Sequence, residues 1–214
     1  MTLRKAHALS AVFIAAFIFV HIANHLVGLT GVAGHIAFME AARVVYRHPL
    51  VEIALLNCIA LQIATGLTLL AKGWKHRHGF IAWLQAISGA YLSFFLMVHV
   101  GSVLFGRYSL SLDTNFYFAA AGLHVPPYQF FFAPYYFLGI TVVFVHISCA
   151  VYRRSQRLPR TAQIFVFAVP SIVGLTVSLL IVLSLSGVTF PVDIPARYKD
   201  TFAAHPQQLV LTKR

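Results

Sequence analysis

Residues 13–29, FIAAFIFVHIANHLVGL, decide the fold: the run is apolar almost throughout, yet its second half carries His21, Asn24 and His25. An ionisable side chain at membrane depth is costly, so it faces the interior of a bundle and marks a functional pathway. Residues 91–105, YLSFFLMVHVGSVLF, and residues 135–151, YYFLGITVVFVHISCAV, repeat the pattern around His99 and His146.

A spanning helix needs about 20 predominantly apolar residues. Working outward from the first run, the segments that qualify are residues 8–29, 50–71, 80–105, 130–152 and 164–186. The chain's 214 residues are 59% hydrophobic and 10% charged, and these segments use most of them, which leaves no room for a soluble catalytic domain. The expected architecture is all-α: a five-transmembrane-helix bundle over residues 1–188, then a C-terminal tail over residues 189–214 holding Pro191, Pro195 and Pro206. The first run is expected to be retained, because it is longer than the apolar core of a signal peptide and polar in its second half.

The net charge of +11 falls at helix ends rather than on one face, which argues against a nucleic-acid surface. Arg4 and Lys5 precede the first helix, Lys72, Lys75 and Arg77 fill the second connection, and Arg153, Arg154, Arg157 and Arg160 fill the fourth. The first and third connections hold Arg43, Arg47 and Arg107. The positive-inside rule then predicts a cytoplasmic N-terminus, an outer C-terminus and a multi-pass protein of the cytoplasmic (inner) membrane, in contact with lipid. An interfacial helix is expected within residues 30–49, and a short one in FYFAAAGLHVPPY, residues 116–128, halted by Pro126 and Pro127. Tyr108, Tyr117, Tyr128, Tyr135 and Tyr136 suit an aromatic belt on that side. Cys58 and Cys149 form no CxxC motif and read as buried small hydrophobes. No acyl-transfer triad, Walker A loop or dinucleotide fingerprint is present.

Depth sorts the buried histidines into layers. At 1.5 Å per residue, His21 lies about 12 Å below the outer end of the first helix and His99 about 10 Å below that of the third. They can meet across one haem in the outer half, since neutral imidazole is the usual axial ligand of haem iron. His146 lies about 24 Å below the outer surface, in an inner layer. The polar residue of helix two at that depth is Gln62, and the two could simply hydrogen-bond across the helices. His25, one turn outward of His21, could bond a haem propionate, protonate a quinone or replace His21 as ligand.

The stretches FIFVHIANH (17–25), HIAFMEAARVVYRHPLVEIALL (35–56), LQAISGAYLSFFLMVHVGSVL (84–104), APYYFLGITVVFVHISCAVYR (133–153) and LPRTAQIFVFAVP (158–170) together resemble the five-helix, single-chain cytochrome b subunit of succinate:quinone oxidoreductases, the succinate dehydrogenase and fumarate reductase family. The resemblance covers roughly residues 10–185. It implies two stacked bis-histidine haem b groups, the outer held by helices one and three, the inner by helices two and four. His21 and His99 fall on the outer pair and His146 on one inner ligand, while Gln62, in LQIATGL, falls where the second inner histidine is expected. One bis-histidine haem is therefore expected, the inner one being absent, five-coordinate or ligated from elsewhere. The family further implies a flavoprotein and an iron–sulfur subunit docked on the cytoplasmic face, with dicarboxylate chemistry residing in them, and electron exchange with quinone.

A glutamate near the position of Glu40 takes part in quinol proton exchange in that family; an interfacial charge paired with Arg43 or Arg47 is the plainer alternative. Arg43, Arg47 and Arg107 could neutralise haem propionates or snorkel at the surface. Glu52 is expected to favour the N-terminal dipole of helix two. His7, His35, His48, His124 and His205 read as helix-end or loop histidines. Two rival functions stand beside the first: a stand-alone membrane haem protein exchanging electrons with quinone, and a haem-free structural anchor.

Overall fold

The computed structural model describes residues 2–202, and among them there is no strand. The long helices are α1 (Leu3–Val27), α3 (Pro49–Gly73), α4 (Phe80–Tyr108), α6 (Gln129–Arg154) and α7 (Arg160–Leu185). All five are long and apolar enough to cross a membrane. Between them lie α2 (Val32–Tyr46) and the short α5 (Phe116–Ala121), and α8 (Ala196–Lys199) follows in the tail. Each expected span overlaps one of these helices, but the ends differ. α1 begins five residues sooner than residue 8, where the Thr2 hydroxyl accepts the Lys5 N–H as an N-cap. α7 begins four sooner than residue 164, at the residue after Pro159, and α4 runs three beyond residue 105.

The polarity is that of a membrane bundle. Phe19 (76% exposed), Leu50, Phe80, Phe130, Ile172 and other large apolar side chains face outward. Ser10, Thr65, Ser88, Ser93, Ser148 and Ser178 are buried instead. Lipid tails are as apolar as leucine, so small and hydrogen-bonding residues, not large apolar ones, hold such helices together. The Thr141 and Ser178 hydroxyls bond at 2.9 Å between α6 and α7, and Gly174 makes room for Phe144.

The long helices form a ring in the order α1, α3, α4, α6, α7, with α7 touching α1 again beside the 28–30 turn. Packing is between ring neighbours: α1 packs closely against neither α4 nor α6, which stand across the interior from it. One end of the ring is capped by α2, α5 and the tail, whose core holds Phe116, Ala120, Leu185, Ile194 and Tyr198. Tyr198 is fully buried and its hydroxyl donates to the Asp113 carbonyl. The tail thus covers the cap end as far as residue 202; residues 203–214, with His205 and Pro206, lie outside the described residues. The opposite, basic end carries Lys72, Lys75, Arg153 and Arg160.

Two expectations need correction. Tyr135 is no belt residue: it is 4% exposed inside the ring, and its hydroxyl donates to the Phe95 carbonyl. The Tyr136 hydroxyl likewise turns inward to the Ala119 carbonyl. The short helix α5 ends at Ala121, ahead of Pro126 and Pro127.

Candidate functional site

His21 on α1 and His99 on α4 meet across the ring with centroids 5.9 Å apart. Each stacks on a phenylalanine one turn before it in its own helix: Phe17 on His21 at 5.4 Å, Phe95 on His99 at 5.2 Å. Phe95 is braced from α6, where Tyr135 packs at 4.8 Å and Gly139 leaves room for the ring. Two imidazoles bonded to one iron at about 2 Å each stand with centroids roughly 6 Å apart. The His21 and His99 centroids stand near that separation, with their planes 70° apart, and imidazole is the donor such a site uses. Both rings are half-buried. Among the described residues no group of three or more His, Cys, Asp or Glu gathers as a site for a bare metal ion; these histidines meet as a pair.

A second polar group adjoins this pair toward the cap. The His25 ring lies 4.8 Å from His21 and 5.2 Å from His35 on α2. The Asn24 amide bonds His35 Nε2 at 3.1 Å. Yet Asn24 Oδ1, His25 Nδ1, His35 Nδ1 and Ser184 Oγ are buried with no hydrogen-bond partner. Native interiors leave few such atoms, and these four belong to neighbouring side chains at the cap end. His35 and Ser184 both border Gly28, where a Cβ would stand 3.4 Å from each.

His35 was passed over in the sequence as a helix-end histidine, but it is 2% exposed. The signal was available in the i, i+4, i+8 series His35, Met39, Arg43, which is the buried face of α2. Burial first, and the Arg43 charge second, lower the His35 pKa from 6.5 to about 4. Between those values the native state binds fewer protons than the unfolded chain, so stability falls as pH drops from about 6.5 to about 4. His35→Gln is expected to flatten that part of a thermal-unfolding profile against pH, and an unchanged slope would show that His35 does not titrate this way.

The cap-end charges are largely paired with one another. Arg43, 8% exposed, donates to Glu40 at 2.5 Å and to Asp113 at 2.7 Å. Glu40 is itself 56% exposed, the arrangement expected of an interfacial charge paired with Arg43. Arg107 pairs with Glu52, which does sit in the first turn of α3. Arg47 bonds only the Thr114 hydroxyl, at 3.1 Å, and has no carboxylate partner among the described residues.

His146 lies in a separate layer toward the basic end, as its depth predicted, but its expected partner does not meet it. His146 Nδ1 bonds the Gln85 carbonyl at 3.0 Å and Ser88 Oγ at 3.1 Å, both on α4. Gln62 turns to α1 instead: its amide nitrogen bonds His7 Nε2 at 3.1 Å, and its oxygen accepts from Ser10 at 2.7 Å. Rotation about α3 turns Gln62 to α1 rather than to α6. His7 itself was assigned to the helix end, and the five extra residues of α1 bring it inside the ring. The chain matches no protein-family model, no curated protein and no solved structure at significance.

Proposed function

We propose that this chain is the membrane cytochrome b subunit of a succinate dehydrogenase- or fumarate reductase-like complex. The carrying observation is the His21–His99 pair, set across the ring on two spanning helices and braced by stacked phenylalanines. In this reading the basic end faces the cytoplasm and receives the flavoprotein and iron–sulfur subunits, and the cap end with the tail lies outside. A bound haem b would supply one-electron redox chemistry. His21 and His99 would hold its iron, and Phe17 and Phe95 would fix their planes. Of Arg43, Arg47 and Arg107, Arg47 is the one without a carboxylate among the described residues, which makes it the cation proposed for a propionate. The open polar atoms of Asn24, His25, His35 and Ser184 are where a quinone headgroup would find hydrogen bonds beside the pair. Glu40, bonded to Arg43 at the exposed edge, is the proposed carboxylate for proton exchange with solvent.

A reduced-minus-oxidised optical spectrum of the purified full chain, with haem quantified per polypeptide, tests this reading. A low-spin b-type spectrum is expected, and its absence would leave a haem-free anchor. One observation favours the stand-alone haem protein as a second reading: Gln62, at the family's inner-ligand position, is engaged with His7 and Ser10 and does not face His146. A flavoprotein gene beside this one would speak against that alternative.

A further inference from the structure

The basic end carries charge that the chain's own side chains do not neutralise. All five side-chain carboxylates, Glu40, Glu52, Asp113, Asp193 and Asp200, belong to the cap end or to the tail that packs on it. Arg43 and Arg107 pair with three of them, and Asp193 stands 3.9 Å from Lys199. No side-chain carboxylate is there for Lys72, Lys75, Arg153, Arg154, Arg157 or Arg160, so a fixed counter-charge has to come from another molecule.

Two of these arginines rim a groove of about 660 Å³, where the start of α4, the end of α6 and the start of α7 come together. The rim is polar and exposed, made by His78, Arg153, Gln156 and Arg160. The rest of the lining is apolar, with Phe80 from α4 and Ile164 and Phe167 from α7. Ile164 and Phe167 follow Arg160 by about 6 and 10 Å along their helix, toward the middle of the span. Tyr152 joins the two halves: its hydroxyl accepts from Arg160 at 3.2 Å, and its ring packs edge-on against Phe167. Arg153 is held from the other side, donating to Gln85 Oε1 at 3.0 Å. Both guanidiniums are thus placed by neutral partners that leave most of their N–H donors open among the described residues.

We propose that this groove holds an anionic phospholipid, its phosphodiester on Arg153 and Arg160 and its acyl chains along Ile164 and Phe167. Charge and apolar surface in one groove select that ligand. A soluble phosphate or an acidic peptide would answer the arginines but leave the exposed Phe80 and Ile164 uncovered. A zwitterionic lipid would cover them but bring its own cation to a rim that already has two. Basic pockets between spanning helices bind anionic headgroups on the same terms. The site goes beyond the electron-transfer reading, since it needs helices that span a membrane but no haem.

The test is quenching, by bromine-labelled lipid, of an indole placed in the groove. The chain's own tryptophans, Trp74 and Trp83, stand at the same end, so both are changed to phenylalanine and Phe167→Trp supplies the reporter. The full chain is reconstituted in phosphatidylcholine vesicles carrying either brominated phosphatidylglycerol or brominated phosphatidylcholine. Phosphatidylglycerol is expected to quench at the lower mole fraction, and Arg153→Gln and Arg160→Gln are each expected to weaken that preference about five-fold. Arg157→Gln, at an arginine outside the groove, should leave the preference unchanged, and so should excess inorganic phosphate at constant ionic strength. Equal quenching by the two lipids, or a preference untouched by Arg153→Gln and Arg160→Gln, would overturn the site. A loss in Arg157→Gln as large as in Arg160→Gln would replace it with diffuse surface charge, and displacement by phosphate would give it to a soluble anion. If the reporter variant does not fold, native mass spectrometry of the unaltered chain from an equimolar mixture of the two lipids decides. Retained phosphatidylglycerol in excess supports the groove, and retention without preference overturns it.

Discussion

Alanine at His21 or at His99 is expected to empty the cap-end haem site, taking with it the low-spin signal of that haem and one haem per chain. The rings meet edge-on from α1 and α4, helices that do not otherwise pack closely, and the histidine on the same face of α1, His25, stands a full turn nearer the cap. Changes to groups that merely orient a metal's ligands already cost about 10–100-fold in affinity; loss of the ligand itself should leave binding below detection. His25→Ala is the control. His25 lies one turn nearer the cap and contacts His21 edge-on, so its removal should leave haem content intact. Retention of the full spectrum by His99→Ala, or its loss in His25→Ala alone, would reassign the axial pair.

A second large effect is expected away from the histidines. Phe116 is fully buried in the cap, where it packs beside His35 and Phe190 and holds α5 against α7 and the tail. Phe116→Ala leaves a cavity the cap has no means to fill and is expected to cost about 3–5 kcal/mol. Phe19→Ala removes the same side chain from a position that is 76% exposed to lipid, and should change stability little. Thermal unfolding of both variants in one detergent compares them directly. Equal losses would mean that Phe19 faces protein, which would undermine the inverted polarity on which the membrane reading stands.

Much of this molecule was legible in the sequence because hydropathy over some twenty residues is a strong physical signal. The five long apolar helices, a further helix after the first, and the sorting of His21 and His99 into one layer and His146 into another all follow from run lengths and depth. Partner choice within a layer did not follow, because it depends on rotation and on which helices are neighbours in the ring. Gln62 shows this: its depth matches His146, yet α3 packs against α1 and sends it to His7 and Ser10. His35 was hidden for a different reason. Its burial is made by the fold-back of α2 onto α1 and by Phe116 and Ser184, which come from far along the chain. Tyr135 was misplaced because an aromatic near a span's end has the same local sequence whether it faces headgroups or a phenylalanine.

The 14 positions from His7 to His21 amount to just under four helical turns, so both imidazoles leave α1 within roughly 40° of one direction. That interval makes α1 a gauge of phase as well as of length. Exchanging one apolar residue for another at an outward position such as Phe13 or Phe19 leaves the phase untouched, and evolution is free to drift there. Deleting a single residue swings one histidine by about 100° relative to the other and carries it out of the ring toward lipid. Sequence variation in this stretch should therefore consist of replacements, with gaps displaced to the connections.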